Sequence, residues 1–305
     1  MNDHVTVCEV GPRDGLQMAH SRMATADKVR WIHAIVAAGV PEIEVGSFVP
    51  ARVIPQMADT GEVVRAVRDV PALVVALAPN LKGAQLAAEA GAKRISVPVS
   101  VSEGHSRANT NRSTQEAVAE VARICAWVKQ SGTVMEVEGA LSTAFGCSID
   151  GAVPERRVVE VAAALAEAGA DLVALADTVG YGHPAQIRST VRAVRAAVGA
   201  RLEGLHLHDT MGLGLANALA GLDEGIRSFD SSLAGLGGCP YAPGASGNIV
   251  TEDLVFMLES MGMRTGIDLD KLLAARAVLE EALPAEARHG GLARAGIPKT
   301  FRAAA

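Results

Sequence analysis

Eight short apolar or β-branched runs recur along the 305 residues, each followed by a longer amphipathic stretch. The runs are VTVCEV (5–10), EIEVGSF (42–48), ALVVALAP (72–79), RISVPVSV (94–101), TVMEVEGAL (133–141), DLVALAD (171–177), LEGLHLH (202–208) and SFDSSLAG (228–235). Their lengths and flanking turn residues predict strands. The stretches between them are helical in period. In TADKVRWIHAIVAAGV, Thr25 stands where a cap is needed, Val29, Ile32 and Val36 share a face, and Gly39 marks the exit. AEAGAKRISV, AEAGADLVAL and DEGIRSFDSS repeat one design, a helix end with glycine leading into a strand. A helix between consecutive strands returns the chain to the same edge, so the strands must run parallel. Eight such units close on themselves. The expected fold is therefore α/β, a (β/α)8 TIM barrel over residues 4 to about 262 with a C-terminal helical extension. An open doubly wound sheet fits less well, because no GxGxxG follows the first run.

Residues 1–283 are expected to form one domain, including a loop over 235–248 that acts as a lid. Residues 284–305, with Gly290, Gly291, Gly296 and Pro298, read as a poorly ordered tail. Pro98 is awkward inside the fourth run, because proline has no N–H for a ladder.

The chain carries 28 basic and 34 acidic residues, a net charge of −6, with no basic cluster, which excludes a nucleic-acid or acidic-membrane surface. No apolar stretch approaches the roughly 20 residues that span a bilayer. Cys8, Cys125, Cys147 and Cys239 show no CxxC spacing and follow no leader pattern, so a reducing cytoplasm is expected.

In this fold, chemistry is built where strands end, and polar residues collect there. Arg13 and Asp14 follow the first run, Glu44 lies in the second, Asn80 and Glu103 follow the third and fourth, Ser142 follows the fifth and Asp177 ends the sixth. The sharpest element is LHLHD. His206 and His208 are two apart on a strand and share its inner face, whereas Leu205 and Leu207 face outward. Two inward imidazoles beside carboxylates predict a mixed nitrogen and oxygen site for Mg²⁺ or Mn²⁺. In GPRDGLQ, Asp14 can ligate the cation while Arg13 holds an oxyanion beside it. In GLGGCPYAPGASGN, glycines around Cys239 suggest a mobile loop that brings a thiol over the barrel mouth. Asn248 serves equally well as a helix cap or a ligand on these grounds.

Together VGPRDGLQ, LHLHDTMGLGLAN and AGLGGCPYAPGASGN resemble the 3-hydroxy-3-methylglutaryl-CoA lyases, within the metal-dependent TIM-barrel lyases and synthases. The resemblance implies that Asp14, His206, His208 and Asn248 hold a divalent cation. It further implies that Arg13 acts on the thioester, that Cys239 protonates the product enolate, and that Glu44 and Asp177 complete the polar pocket. His206 and Asp177 are the candidates for the base; Gln17, Glu138, Ala140, Ser142 and Thr178 are assigned to the substrate pocket. The implied reaction cleaves an acyl-CoA to acetyl-CoA and acetoacetate, a step of leucine degradation, in a homodimer. Lys82, Arg107 and Arg112 are placed to meet the nucleotide of CoA.

The chain departs from the family wording at strand five. Glu138-Gly139-Ala140 stands where Arg-Gly-Tyr is usual, and so predicts room for a longer C3 substituent. Two other readings compete. One is a Claisen-type synthase such as isopropylmalate or homocitrate synthase, against which the cysteine loop argues. The other is a catalytically silent binding barrel, against which the intact reactive set argues.

Overall fold

The computed structural model describes residues 3–238 and 247–304. Its strands are β1 Thr6–Glu9, β2 Glu42–Ser47, β3 Leu73–Leu77, β4 Arg94–Ser100, β5 Glu136–Ser142, β6 Leu172–Asp177, β7 Leu202–Leu207 and β8 Ser228–Ser231. They close in sequence order into one barrel in which every neighbouring pair is parallel, β8 pairing with β1. All eight expected strands are present at their expected places. Pro98 remains inside β4. The β3–β4 register ends at Leu77↔Ser96, so the donor that proline lacks falls beyond that ladder.

The main core lies between the strands and the surrounding helices. Outward residues such as Val7, Ile43, Ile95, Leu175, Leu205 and Phe229 are fully enclosed. They meet Trp31, Ile32 and Ile35 of helix Thr25–Ala37 and the corresponding apolar stripes of its successors. Thr25 is not the cap expected of it. Ala24 occupies that position, and the Thr25 hydroxyl bonds instead to Asp59 Oδ2 at 2.8 Å. A capping box of Ser113 and Glu116 starts helix Thr114–Ser131.

The lower interior of the barrel is charged. Arg94 Nη1 donates to Glu42 Oε1 at 2.9 Å and Glu203 Oε1 at 3.4 Å, and its Nε donates to Glu136 Oε2 at 2.8 Å. Burial pushes the Glu42 carboxyl up to about 7 even beside this guanidinium. Removing one partner of a buried ion cluster strands the others in a poor solvent. Arg94→Met should therefore lower unfolding free energy by about 3–5 kcal/mol in denaturant titrations. Combining it with Glu42→Gln should recover part of the loss. Equal stability of Arg94→Met and the parent would contradict this account.

The C-terminal segment, expected to be a poorly ordered tail, makes several contacts with the barrel. Asp253 accepts the N–H groups of Gly291 and Leu292 at 2.7 Å each, His289 N donates to Ala234 O at 2.8 Å, and Phe301 stacks on Phe256. The Ala234 carbonyl and the half-buried Asp253 carboxylate are among its partners, and composition alone carries no sign of them. Among the described residues, no helix is long and apolar enough to cross a membrane.

Candidate active site

The chain leaves β1 through a single π-helical turn, Gly11–Gly15. Val10 O accepts N–H groups from Arg13 at 3.0 Å and Asp14 at 2.7 Å, which folds the turn back over the barrel mouth. The buried Glu9 carboxylate ties this turn to the end of β8, accepting Gly11 N at 2.9 Å, Leu233 N at 2.9 Å and the Thr251 hydroxyl at 2.6 Å. Arg13 then lies between two carboxylates, with Nε on Glu44 Oε2 at 2.5 Å and Nη1 on Asp14 Oδ1. Burial raises the Glu44 pKa despite that guanidinium. Burial also works against charge on Asp14, but Arg13, His208 and His206 outweigh it and hold this carboxyl well below the usual range.

His206 and His208 reach the same point from β7. Their Nε2 atoms face each other at 3.1 Å, and Asp14 Oδ2 lies 3.9 Å from the first and 3.6 Å from the second. These three side chains are the one His/Cys/Asp/Glu group among the described residues whose ligand atoms lie within 4.8 Å of one another. Burial disfavours charge on both rings. For His206 the hydrogen bond to Asp230 at 3.0 Å and the charge of Asp14 prevail, so its pKa rises. For His208 burial prevails over the hydrogen bond and charge of Asp14, and its pKa falls.

Asn248 joins this group by a route that spacing does not reveal. It forms an isolated antiparallel bridge with His208, reinforced by Asp209 N to Gly247 O at 2.9 Å and Ile249 N to Leu207 O at 3.1 Å. Its Nδ2 donates to Asp14 Oδ2 at 2.8 Å, while its buried Oδ1 has no hydrogen-bond partner. Two facing imidazole nitrogens, a carboxylate oxygen and an orphaned amide oxygen form a donor set that fits a divalent cation. Asn248 is not the cap of helix Thr251–Ser260; Val250 takes that position.

The glycines at the two ends of the cysteine loop have a packing task. At Gly237 (φ 140°) a Cβ would meet Asn248 Nδ2 at 2.7 Å, and at Gly247 (φ 89°) it would meet the Gly237 carbonyl carbon at 2.7 Å. Any larger residue would push the two ends apart beside Asp14. Cys239 lies outside the described residues.

A cavity of about 570 Å³ opens from this cluster down the barrel axis. Arg13, Asp14, His206 and His208 line it, as do the expected pocket residues Gln17, Glu138, Ala140, Ser142 and Thr178. Asp177 does not line it. Its carboxylate is turned into the turn after β6, accepting Tyr181 N and Gly182 N at 3.0 Å each, and burial pushes its pKa up to about 6. Asp177, expected to be catalytic, thus holds its own backbone turn, and its charge also acts on His206. Asp230 was missed. It lines the cavity and holds His206 Nδ1, and the signal available was its alternate position on β8, DSS. Of the basic residues expected near CoA, Arg112 lines the cavity, whereas Arg107 pairs with Glu103 and Glu116 and Lys82 does not line it.

Comparisons with known proteins give the chain's family. The HMGL-like family pattern matches residues 4–279. Hydroxymethylglutaryl-CoA lyase YngG of Bacillus subtilis is 41% identical over 280 residues, covering 92% of this chain and 93% of its own. The 3-hydroxy-3-isohexenylglutaryl-CoA/hydroxymethylglutaryl-CoA lyase of Pseudomonas aeruginosa is 42% identical over 272 residues, covering 89% and 90%. The structure of an HMG-CoA lyase from Acinetobacter baumannii, in complex with coenzyme A and 3-methylmalate, matches with a TM-score of 0.92 at 38% identity, covering 98% of this chain and 97% of that one.

Proposed function

The chain belongs to the HMGL-like family, and from that membership and the geometry at the barrel mouth we propose that it is a carbon–carbon lyase cleaving 3-hydroxy-3-methylglutaryl-CoA to acetyl-CoA and acetoacetate. The observation that carries the reading is the convergence of Asp14, His206 and His208 on one point beside Arg13, at the top of an open cavity.

We assign Asp14, His206, His208 and Asn248 as the ligands of a divalent cation, Mg²⁺ or Mn²⁺. When bound, such a cation supplies a Lewis acid that lowers the pKa of the substrate's C3 hydroxyl and fixes its orientation. The chain's own residues account for the rest. The C3 hydroxyl proton passes to the Asp230 carboxylate, which faces the cavity and holds His206 Nδ1. Electrons from the breaking C2–C3 bond move onto the thioester oxygen, where the Arg13 guanidinium, held in place by Glu44, stabilises the enolate. Cys239 delivers a proton to C2 from the loop whose ends meet at Gly237 and Gly247. A homodimer in the cytoplasm, as in the sequence reading, completes the proposal.

The test is a product balance on purified protein with 3-hydroxy-3-methylglutaryl-CoA. Cleavage predicts one acetyl-CoA for each acetoacetate, with no condensation when acetyl-CoA is offered a 2-oxo acid. Condensation without cleavage would overturn the reading in favour of a synthase.

A further inference from the structure

Glu138 is a chemical group in the cavity that the reaction above leaves unused. On β5, Glu138, Ala140 and Ser142 occupy alternate positions and share the inner face, and all three line the cavity. Around Glu138 the other inward residues are short: Ser96 on β4, and Ala174 and Ala176 on β6, also line this space. Its side chain is therefore reached from the cavity. Three carboxylates line that cavity. Asp14 is held by Arg13 and Asn248, and Asp230 by His206. Glu138 makes no hydrogen bond and no ion pair among the described residues. Arg94 acts on it, but the Arg94 guanidinium is already shared by Glu42, Glu136 and Glu203.

Burial and the negative charges of Asp230 and Glu42 drive the Glu138 carboxyl well above the usual carboxylate range. That shift favours the protonated form, which donates a hydrogen bond as well as accepting one. A polar group of this kind, aimed into a part of the cavity walled by short alanines and serines, leaves a plain alkyl substituent with nothing to offer it. Sites that hydrogen-bond a substrate hydroxyl discriminate strongly against analogues that lack it.

The substrate's C3 carries three carbon arms. The thioester arm must leave through the mouth towards its nucleotide, and the carboxylate arm belongs with the cation site. The third arm is left to face down the barrel, where Glu138 stands. We propose that Glu138 determines specificity for this third arm, and that the chain prefers 3-hydroxyglutaryl-CoA thioesters whose C3 substituent is a short hydroxyalkyl group over their alkyl isosteres. The proposal rests on the lyase reading. Cleavage still breaks only C2–C3: the C3 hydroxyl loses its proton, C2 gains one, and the products are acetyl-CoA and a 3-oxo acid that keeps its hydroxyalkyl group. A carboxylate on the same arm would enter the negative field of Asp230, Glu42 and Glu203 that already acts on Glu138, and be repelled.

The experiment compares kcat/KM for 3-hydroxyglutaryl-CoA thioesters carrying methyl, ethyl, hydroxymethyl, propyl or 2-hydroxyethyl at C3. In each isosteric pair the hydroxyl compound should be favoured about tenfold or more by the parent enzyme. Glu138→Leu should reverse the preference, and Glu138→Gln, which keeps a donor and an acceptor, should retain most of it. Because the readout is a ratio within one protein, a general loss of activity does not imitate it; if Glu138→Leu does not fold, the parent and Glu138→Gln ratios decide. Cleavage of the methyl compound with no preference for hydroxyl in either pair would overturn the proposal and leave the lyase reading standing. Cleavage of none of the five would overturn both.

Discussion

Replacing Arg13 with methionine is expected to lower kcat for C2–C3 cleavage about 10²–10³-fold, the usual effect of removing one preorganised donor from a developing oxyanion. Methionine keeps much of the stem and removes every N–H. Two carboxylates, Glu44 and Asp14, clamp the arginine, so it is oriented before substrate arrives and needs no reorganisation during the reaction. Removing it also leaves Glu44 buried without its cation, which should lower the melting temperature. The double variant Arg13→Met/Glu44→Gln separates the two effects: stability should return towards that of the parent while kcat stays low. A single variant whose kcat stays within tenfold of the parent would sink the role assigned to Arg13.

Asp14→Ala is expected to weaken divalent-cation binding by more than about 100-fold, since outer partners of metal sites alone account for 10–100-fold. Asp14 contributes the only negative charge among the four assigned ligands. Without it the site offers two imidazoles and an amide, all neutral when they ligate. Arg13 would keep its Glu44 partner, so the turn after β1 should remain folded. Titration with Mn²⁺ by calorimetry measures this directly, and an unchanged affinity would place the cation elsewhere.

Much of this architecture is legible from residue order because strands covered by helices must carry apolar residues on their outward face, and the helices between them must carry one apolar stripe. That logic identifies β1 to β8 without any knowledge of contacts. It identifies His206 and His208 for the same reason, since a strand's period of two puts both on the inner face. It fails where a residue's partner is distant in sequence. Asn248 reaches the site through a bridge to His208 forty residues earlier, a pairing that neither residue type announces. Asp177 reads as a reactive group at a strand end, and the order of residues does not show that its oxygens also accept two N–H groups of the next turn. The Arg94 cluster draws members from β2, β4, β5 and β7, so its meaning exists only once the barrel closes. The tail is held by Asp253 and the backbone of Ala234, which its glycines do not foretell.

Glu138 and Ala140 belong to a different class. Both are visible in the sequence as departures from the family wording, and both line the cavity. What the fold adds is the surroundings: short neighbours that expose Glu138 to the cavity, and acidic ones that favour its protonated form.

The central claim is that cleavage depends on a divalent cation at Asp14, His206, His208 and Asn248. It is tested most directly by assaying acetyl-CoA release from 3-hydroxy-3-methylglutaryl-CoA before chelation, after chelation, and after adding back Mg²⁺ or Mn²⁺. The account predicts loss of activity with chelator and recovery with added cation in the parent, and no recovery at the same concentration in Asp14→Ala. Full activity in the chelated parent would contradict it.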